Sequence, residues 1–377
     1  MTRHHSKRWL GVAVCLGLVA ASCSDDEQAA PDTTTATTDS IATTTTAKPK
    51  PTTTTDSPDT TADGSEPTTT TEPKAPVMPL TGLPITDIRL AGRPALVVKV
   101  DNHPKARPQS GINEADIVYE ENVEQLTRFA LVFQSNVADP VGPIRSGRTQ
   151  DIDLLGSLNR PLFAWSGGNG RVTAAILGSD LREVCCRLGN QPSFRTDRDN
   201  PHDLYSNVSE LYAVAPLDAS PPQQQFQYRD DGDPVVGPEV AGLKLSMDGL
   251  KVAWEWDADE GLFLRSQDGK PHRDTVGDAQ VSTNNVVVLF VNYRPSPADA
   301  RSPEAQTIGF GEAWVYSEGH LVKGIWKRET RLDPFTLEDA DGEPILLTPG
   351  RTFVELARGA KVATVDAGKS LDDIAYP

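Results

Sequence analysis

The sequence predicts an α/β amino-terminal half joined to a mostly β carboxy-terminal half, α+β overall. Three observations lead to this reading. Up to residue 215, short apolar runs alternate with stretches of helical spacing. Beyond residue 238 the apolar period drops to two, with Gly and Pro turns between the runs. Between these regions, Ser220-Pro221-Pro222-Gln223-Gln224-Gln225 and Asp230-Asp231-Gly232-Asp233-Pro234 interrupt the apolar pattern and mark a seam at 216–238.

Residues 1–22 read as a signal peptide, because Arg3, Lys7 and Arg8 precede an apolar run from Trp9 to Ala21 that is short for a bilayer span. The run closes on Leu18-Val19-Ala20-Ala21-Ser22-Cys23, which resembles a bacterial lipobox and makes Cys23 the expected lipidation site and membrane anchor. Ordinary cleavage after Ser22, with Cys23 a bystander, is the alternative. Residues 23–76 carry the lipidated Cys and a Thr/Pro-rich tether. About half of the residues from 31 to 71 are Thr, and such a composition offers too little apolar surface to offset the entropy of ordering. At about 3 Å per residue, an extended tether of this length reaches on the order of 100 Å. The expected location is extracytoplasmic, on the outer face of the cell membrane.

The α/β domain is expected at 77–215. Ala95–Val100, Asp116–Glu120, Phe129–Phe133 and Leu162–Trp165 read as strands, and Arg148–Leu158, Arg171–Leu177 and Leu204–Ala213 as helices. The mostly β domain follows at 239–377. Its expected strands are Val252–Trp256, Phe263–Arg265, Val286–Asn292, Ala313–Tyr316, His320–Trp326 and Thr352–Leu356, with Ser317-Glu318-Gly319 as a hairpin loop. This half is either a separate sandwich-like domain or an extension of the first sheet.

The formal charge is −17. Loss of a leader with three basic residues and no acids leaves 33 basic residues against 53 acidic ones, a balance of −20. Such a surface opposes nucleic acid and anionic lipid, so no nucleic-acid partner is expected. Cys185 and Cys186 are the thiols of the folded part. Adjacent thiols suit neither a metal site nor a nucleophile; they can close a vicinal disulfide, pair with other molecules, or simply be buried.

Four polar segments carry the candidate chemistry. The first strand ends in Asp101, Asn102 and His103, with Arg107 beyond, where open α/β sheets bind ligands; Asp and Asn are also ordinary turn formers. Arg145 and Arg148 in Gly142-Pro143-Ile144-Arg145-Ser146-Gly147-Arg148 suit carboxylate or phosphate oxygens, or ion pairs with Glu120, Glu121 or Glu124. Trp165-Ser166-Gly167-Gly168-Asn169-Gly170-Arg171 is a Gly-rich turn matching neither a P-loop nor a dinucleotide fingerprint. In Asp199-Asn200-Pro201-His202-Asp203, His202 is a second imidazole and Asp203 a helix cap, while His272 is a third imidazole in the other half. No H-E-x-x-H pattern is present, and neither a metal nor another cofactor is expected. The aromatic pairs Trp254/Trp256 and Trp314/Tyr316 each share a strand face, as a core or as a sugar-stacking platform, with core the better reading.

Taken together, Pro79-Leu80-Thr81-Gly82, Arg107-Pro108-Gln109-Ser110-Gly111, Ala115-Asp116-Ile117-Val118-Tyr119-Glu120, Gly142–Arg148 and Asn200–Tyr205 resemble the YerB-like family of bacterial lipoproteins. Asn284-Asn285-Val286-Val287-Val288, Gly324-Ile325-Trp326-Lys327 and Pro349-Gly350 extend the resemblance through the second half. It implies two domains and lipid anchoring, and carries no established activity. Where the family pattern has two glycines after an acidic residue, this chain has Glu124-Gln125-Leu126, which stiffens the approach to Arg128. The expectation is a noncatalytic tethered protein that holds an anionic cell-wall or phosphosugar ligand through Asp101, Asn102, His103, Arg107, Glu120, Arg128, Arg145, Arg148 and His202. The rivals are an envelope hydrolase or transferase, with Glu120 or Asp101 as base and His202 or His103 as acid, and a scaffold for other wall proteins.

Overall fold

The computed structural model describes residues 75–377; the signal peptide, Cys23 and the tether lie outside the described residues. The amino-terminal half mixes helices and strands and the carboxy-terminal half is mostly β. One ten-stranded mixed sheet runs through both halves. The first half supplies β1 (Leu96–Asp101), β2 (Ile117–Val123), β3 (Leu126–Phe133), β4 (Leu162–Ala164) and β5 (Arg182–Cys185). β1, β4 and β5 are parallel, and β3 lies antiparallel between β1 and β2. The second half then continues the sheet. Thr352–Ala357 pairs in parallel with β2 on one side and with Asn285–Phe290 on the other. Gly309–Ser317, His320–Arg328 and Thr336–Glu338 follow in antiparallel order.

A second, antiparallel sheet is built mainly on Val240–Met247, Leu250–Asp257 and Leu262–Gln267, with Val362–Asp366 on its edge. Every residue of β1 is buried, as expected of a strand covered on both faces, which reads as a continuous apolar run. On one face Val98, Val100, Phe129 and Leu131 pack with Leu243, Leu245, Val252, Trp254 and Phe263 of the second sheet. On the other, Val97, Tyr119, Ala130 and Val132 pack with Leu154, Leu158, Val172 and Ile176 from the helical segments. Fully burying one such side chain is worth about 1.5–3 kcal/mol, so these two seams fix the three layers.

Two local expectations change. The expected helix 204–213 begins at Val208, because Leu204–Tyr205 pairs with Phe194–Arg195 and Leu204 O accepts Ile144 N at 2.6 Å. Asp203 therefore caps no helix and instead accepts Arg195 NH1 at 2.7 Å. The middle of the 216–238 connector is also packed rather than free, with Phe226 and Tyr228 buried and Leu347 N bonded to Gln227 O. Trp254, Tyr316 and Trp326 are core residues. Cys185 and Cys186 are disulfide-bonded to one another and fully buried. Glu318 and Gly319 form the two-residue hairpin turn, both with positive φ. Among the described residues no helix is long and apolar enough to cross a membrane, and no group of three or more His, Cys, Asp or Glu is placed to hold a metal ion.

Candidate anion-binding site

The carboxyl end of β1 sits where β4 has already left its side. β4 pairs only with Leu96–Val98, and residues 143–145 take its place: Asp101 N donates to Pro143 O at 3.0 Å and Arg145 N to Lys99 O at 2.8 Å. The Gly-rich turn joins the same strip, with Ser166 N bonded to Arg145 O and Gly147 N to Gly167 O. Gly147 is required by this closeness, since a Cβ there would lie 2.8 Å from the Trp165 ring and 2.9 Å from Ile176. The Leu204–Ile144 bond brings in the His202 loop. All four polar segments singled out in the sequence thus meet at one sheet end, the place where open α/β sheets present ligand sites.

Asp101 organises the centre. Its Oδ1 accepts the His103 amide at 3.1 Å. Its Oδ2 accepts both His202 Nδ1 at 2.7 Å and Arg145 Nε at 3.2 Å. The carboxylate can only accept, so Nδ1 of His202 carries a proton and, in the neutral ring, Nε2 presents a lone pair. No described residue bonds Nε2 of His202 or either terminal nitrogen of Arg145. The Asp101 and His202 side chains are almost fully buried, whereas that of Arg145 is 27% exposed. His103 stacks on His202 with centroids 4.7 Å apart, and its Nδ1 accepts the Lys105 amide. Burial first, and the neighbouring His202 second, hold His103 below the usual imidazole range.

Arg128 lies across from Asp101 on one side and Glu121 on the other. It donates to Ser146 O at 2.9 Å, and its buried Nε has no partner among the described residues. Burial, then Arg148, pull it down to about 10, so it stays a cation at neutral pH. Arg148 is clasped by Glu124 through two bonds of 3.0 and 2.6 Å, which realises the ion-pair reading for that residue. Beneath them Lys99 contacts Glu121 and Asp151, all with fully buried side chains. Burial chiefly, and Asp151 next, push Glu121 up to about 7.

The remaining candidates lie in a different setting, on the face toward the second sheet. Glu120 is completely buried, with Thr127 and Asn102 on Oε1 and Arg265 on Oε2. Asn102 is closed off by Gln109 and Gln267. Arg107 holds Asn102 O and Asp268. His272 accepts Arg265 NH1 at Nδ1 and donates from Nε2 to Gln109 Oε1 at 2.8 Å, a tautomer fixed by partners that can play only one role each. Burial and the facing Glu120 push Glu355 well above the usual carboxylate range, while Trp254 donates to it at 2.9 Å. Glu120 therefore has no route to act as a base on a bound ligand.

Arg265, Gln267, Glu355 and Lys99 were missed by sequence reasoning. Two of them carried a signal. Arg265 falls on the inward side of its strand with Phe263 and Gln267, and Lys99 interrupts an otherwise apolar run, both places where a charge needs a buried partner.

The fold and the site define a two-sheet α+β protein with an Asp–His–Arg centre at the carboxyl end of its first strand. Residues 80–220 match the N-terminal domain, and residues 243–354 the C-terminal domain, of DUF3048, a protein family of unknown function. The chain belongs to this two-part family. It is similar to the Bacillus subtilis (strain 168) protein named "Putative lipoprotein YerB", with 27% identity over 312 residues, covering 78% of this chain and 89% of that protein. The crystal structure of YerB protein from Bacillus subtilis superposes with a TM-score of 0.65 at 23% identity over 76% of this chain and 99% of that one, which shows a shared fold.

Proposed function

We propose that this protein binds an anionic cell-envelope ligand at the Asp101–Arg145–His202 centre, while attached to the outer face of the membrane through lipidated Cys23. The observation that carries the reading is the double grip of Asp101 Oδ2. It fixes an imidazole and a guanidinium side by side, each through one nitrogen, and leaves Nε2 of one and both terminal nitrogens of the other unclaimed by described residues. Buried Arg128 adds positive potential behind them. The two terminal nitrogens of Arg145 are pre-oriented, charge-assisted donors that suit a carboxylate or phosphate, and the Nε2 lone pair of His202 can accept from a hydroxyl of the same ligand. The test is calorimetric titration of the full chain with muropeptides, teichoic fragments and phosphosugars. One class is expected to bind, and Arg145→Ala to weaken it about tenfold, as loss of one charge-assisted hydrogen bond does. No binding across the panel, or no bound class whose affinity falls in Arg145→Ala, refutes the proposal.

The 2.7 Å Asp101–His202 contact supports a second reading, general acid–base chemistry at Nε2, since an aspartate on Nδ1 orients an imidazole for proton transfer. Product formation from the bound class that disappears in His202→Ala would favour it; binding without turnover leaves the first reading.

A further inference from the structure

A cleft of about 880 Å³ opens between elements of the two halves, within the size range of small-molecule sites, roughly 300–1,000 Å³. Its charged lining comprises four arginines, Arg148, Arg294, Arg301 and Arg358, against three carboxylates, Glu124, Asp248 and Asp299. In a chain of net charge −17 this local balance runs against the whole. Each carboxylate is already matched: Glu124 holds Arg148, Asp248 holds Arg358, and Asp299 holds Arg301. Arg294 is the surplus cation, exposed, and its guanidinium has no hydrogen-bond or ion-pair partner among the described residues.

The arginine opposite is pre-oriented. Asp248, with positive φ in the Asp248-Gly249 turn between its two strands, takes Arg358 Nε and NH2 at 2.8 and 3.1 Å and leaves NH1 without a partner. The same guanidinium lies 4.3 Å from the centroid of the Tyr293 ring. The segments that carry the two sides are tied to each other by Asn169 Nδ2 to Asp299 at 3.1 Å, both lining residues, and by Thr149 to Ser296 at 2.6 Å. The cleft therefore exists before any ligand arrives, which lowers the ordering cost of binding. Its neutral lining mixes amides and hydroxyls with Val and Pro side chains, a surface suited to a ring with hydroxyl groups on its rim and C–H groups on its faces.

We propose that this cleft is a second site, which adjoins the Asp101 centre through Ser146 and Arg148 but includes none of Asp101, Arg145 and His202. It takes a phosphorylated sugar, with the phosphate against Arg294 and NH1 of Arg358. The probe is N-acetylglucosamine 1-phosphate, titrated into the full chain beside N-acetylglucosamine and inorganic phosphate. Saturable binding of the sugar phosphate is expected, tighter than either fragment, weakened about tenfold by Arg294→Ala and unchanged by Arg145→Ala. Arg294 is exposed, so its replacement leaves folding intact, and Arg358→Lys gives a second variant that keeps the charge but loses the planar grip. The proposal falls if the sugar phosphate does not bind, if phosphate alone binds as tightly, or if Arg294→Ala binds it as well as the wild type. It also falls if Arg145→Ala abolishes the binding, which would place the ligand at the first site and leave the earlier proposal standing.

Discussion

The two faces of β1–β3 carry polar clusters of similar composition and opposite character. On the Arg128 face, Asp101 holds an imidazole and a guanidinium that keep nitrogens unclaimed, and Arg145 reaches solvent. On the Glu120 face, Asn102, Gln109, Thr127, Arg265, Gln267 and His272 close on one another with almost no exposure. Both clusters place a carboxylate against an arginine. The difference lies in what fills the remaining donor and acceptor positions, because a network satisfied by the protein can specify packing while one left open toward water can recognise something else.

The largest expected effect tests the sealed face. Arg265→Ala leaves Glu120 and Glu355 without their cation and should lower stability by about 3–5 kcal/mol in urea unfolding. Glu120→Gln with Arg265→Met removes both charges and should recover most of that loss; no recovery would mean that shape rather than charge dominates there.

A smaller effect concerns Glu121, on the open face. Its native pKa, pushed up to about 7 by burial, lies above the ordinary carboxyl value, so between these values the native state binds more protons than the unfolded chain. Stability should therefore fall as pH rises from about 4.5 to 7, by on the order of 2–3 kcal/mol at most. Asp116, raised to about 6 by burial, adds in the same direction. Melting curves at pH 5, 6, 7 and 8 should show this slope flattened in Glu121→Gln, and an equal slope in the variant would reject the assignment. The smallest effect is that of Arg145→Ala. Its side chain is 27% exposed, and Asp101 keeps His202 when it is lost, so the expected change in urea stability is under about 1 kcal/mol. A loss comparable to that of Arg265→Ala would make the two faces alike.

The strands of the first half were legible because β1 to β4 are short apolar runs, and the four polar loops because prolines and glycines end those runs abruptly. Pairing across the halves was not. Period two shows that Thr352–Ala357 is a strand, but nothing local says that it enters the sheet beside β2. For the same reason Glu120 read as a site residue. Alternation places it on one face of its strand, and only the partner strand, bearing Glu355, and the second sheet, bearing Arg265, show that this face is sealed. The Leu204 helix start failed through a competing long-range bond: Asp203 suits a cap, yet the backbone that follows it is engaged by Ile144.

The position of Thr352–Ala357 also sets an order of events. Ile117 pairs with Thr352 and Asn285 pairs with the same residue from the other side, so two runs of sheet stay apart until nearly the whole chain has been made. During that interval β2 offers a bare row of amides and carbonyls, the template on which other extended chains can add. Pairings this distant in sequence form slowly. A chain cut after the seam would keep the bare row permanently, and its fate would be governed by aggregation.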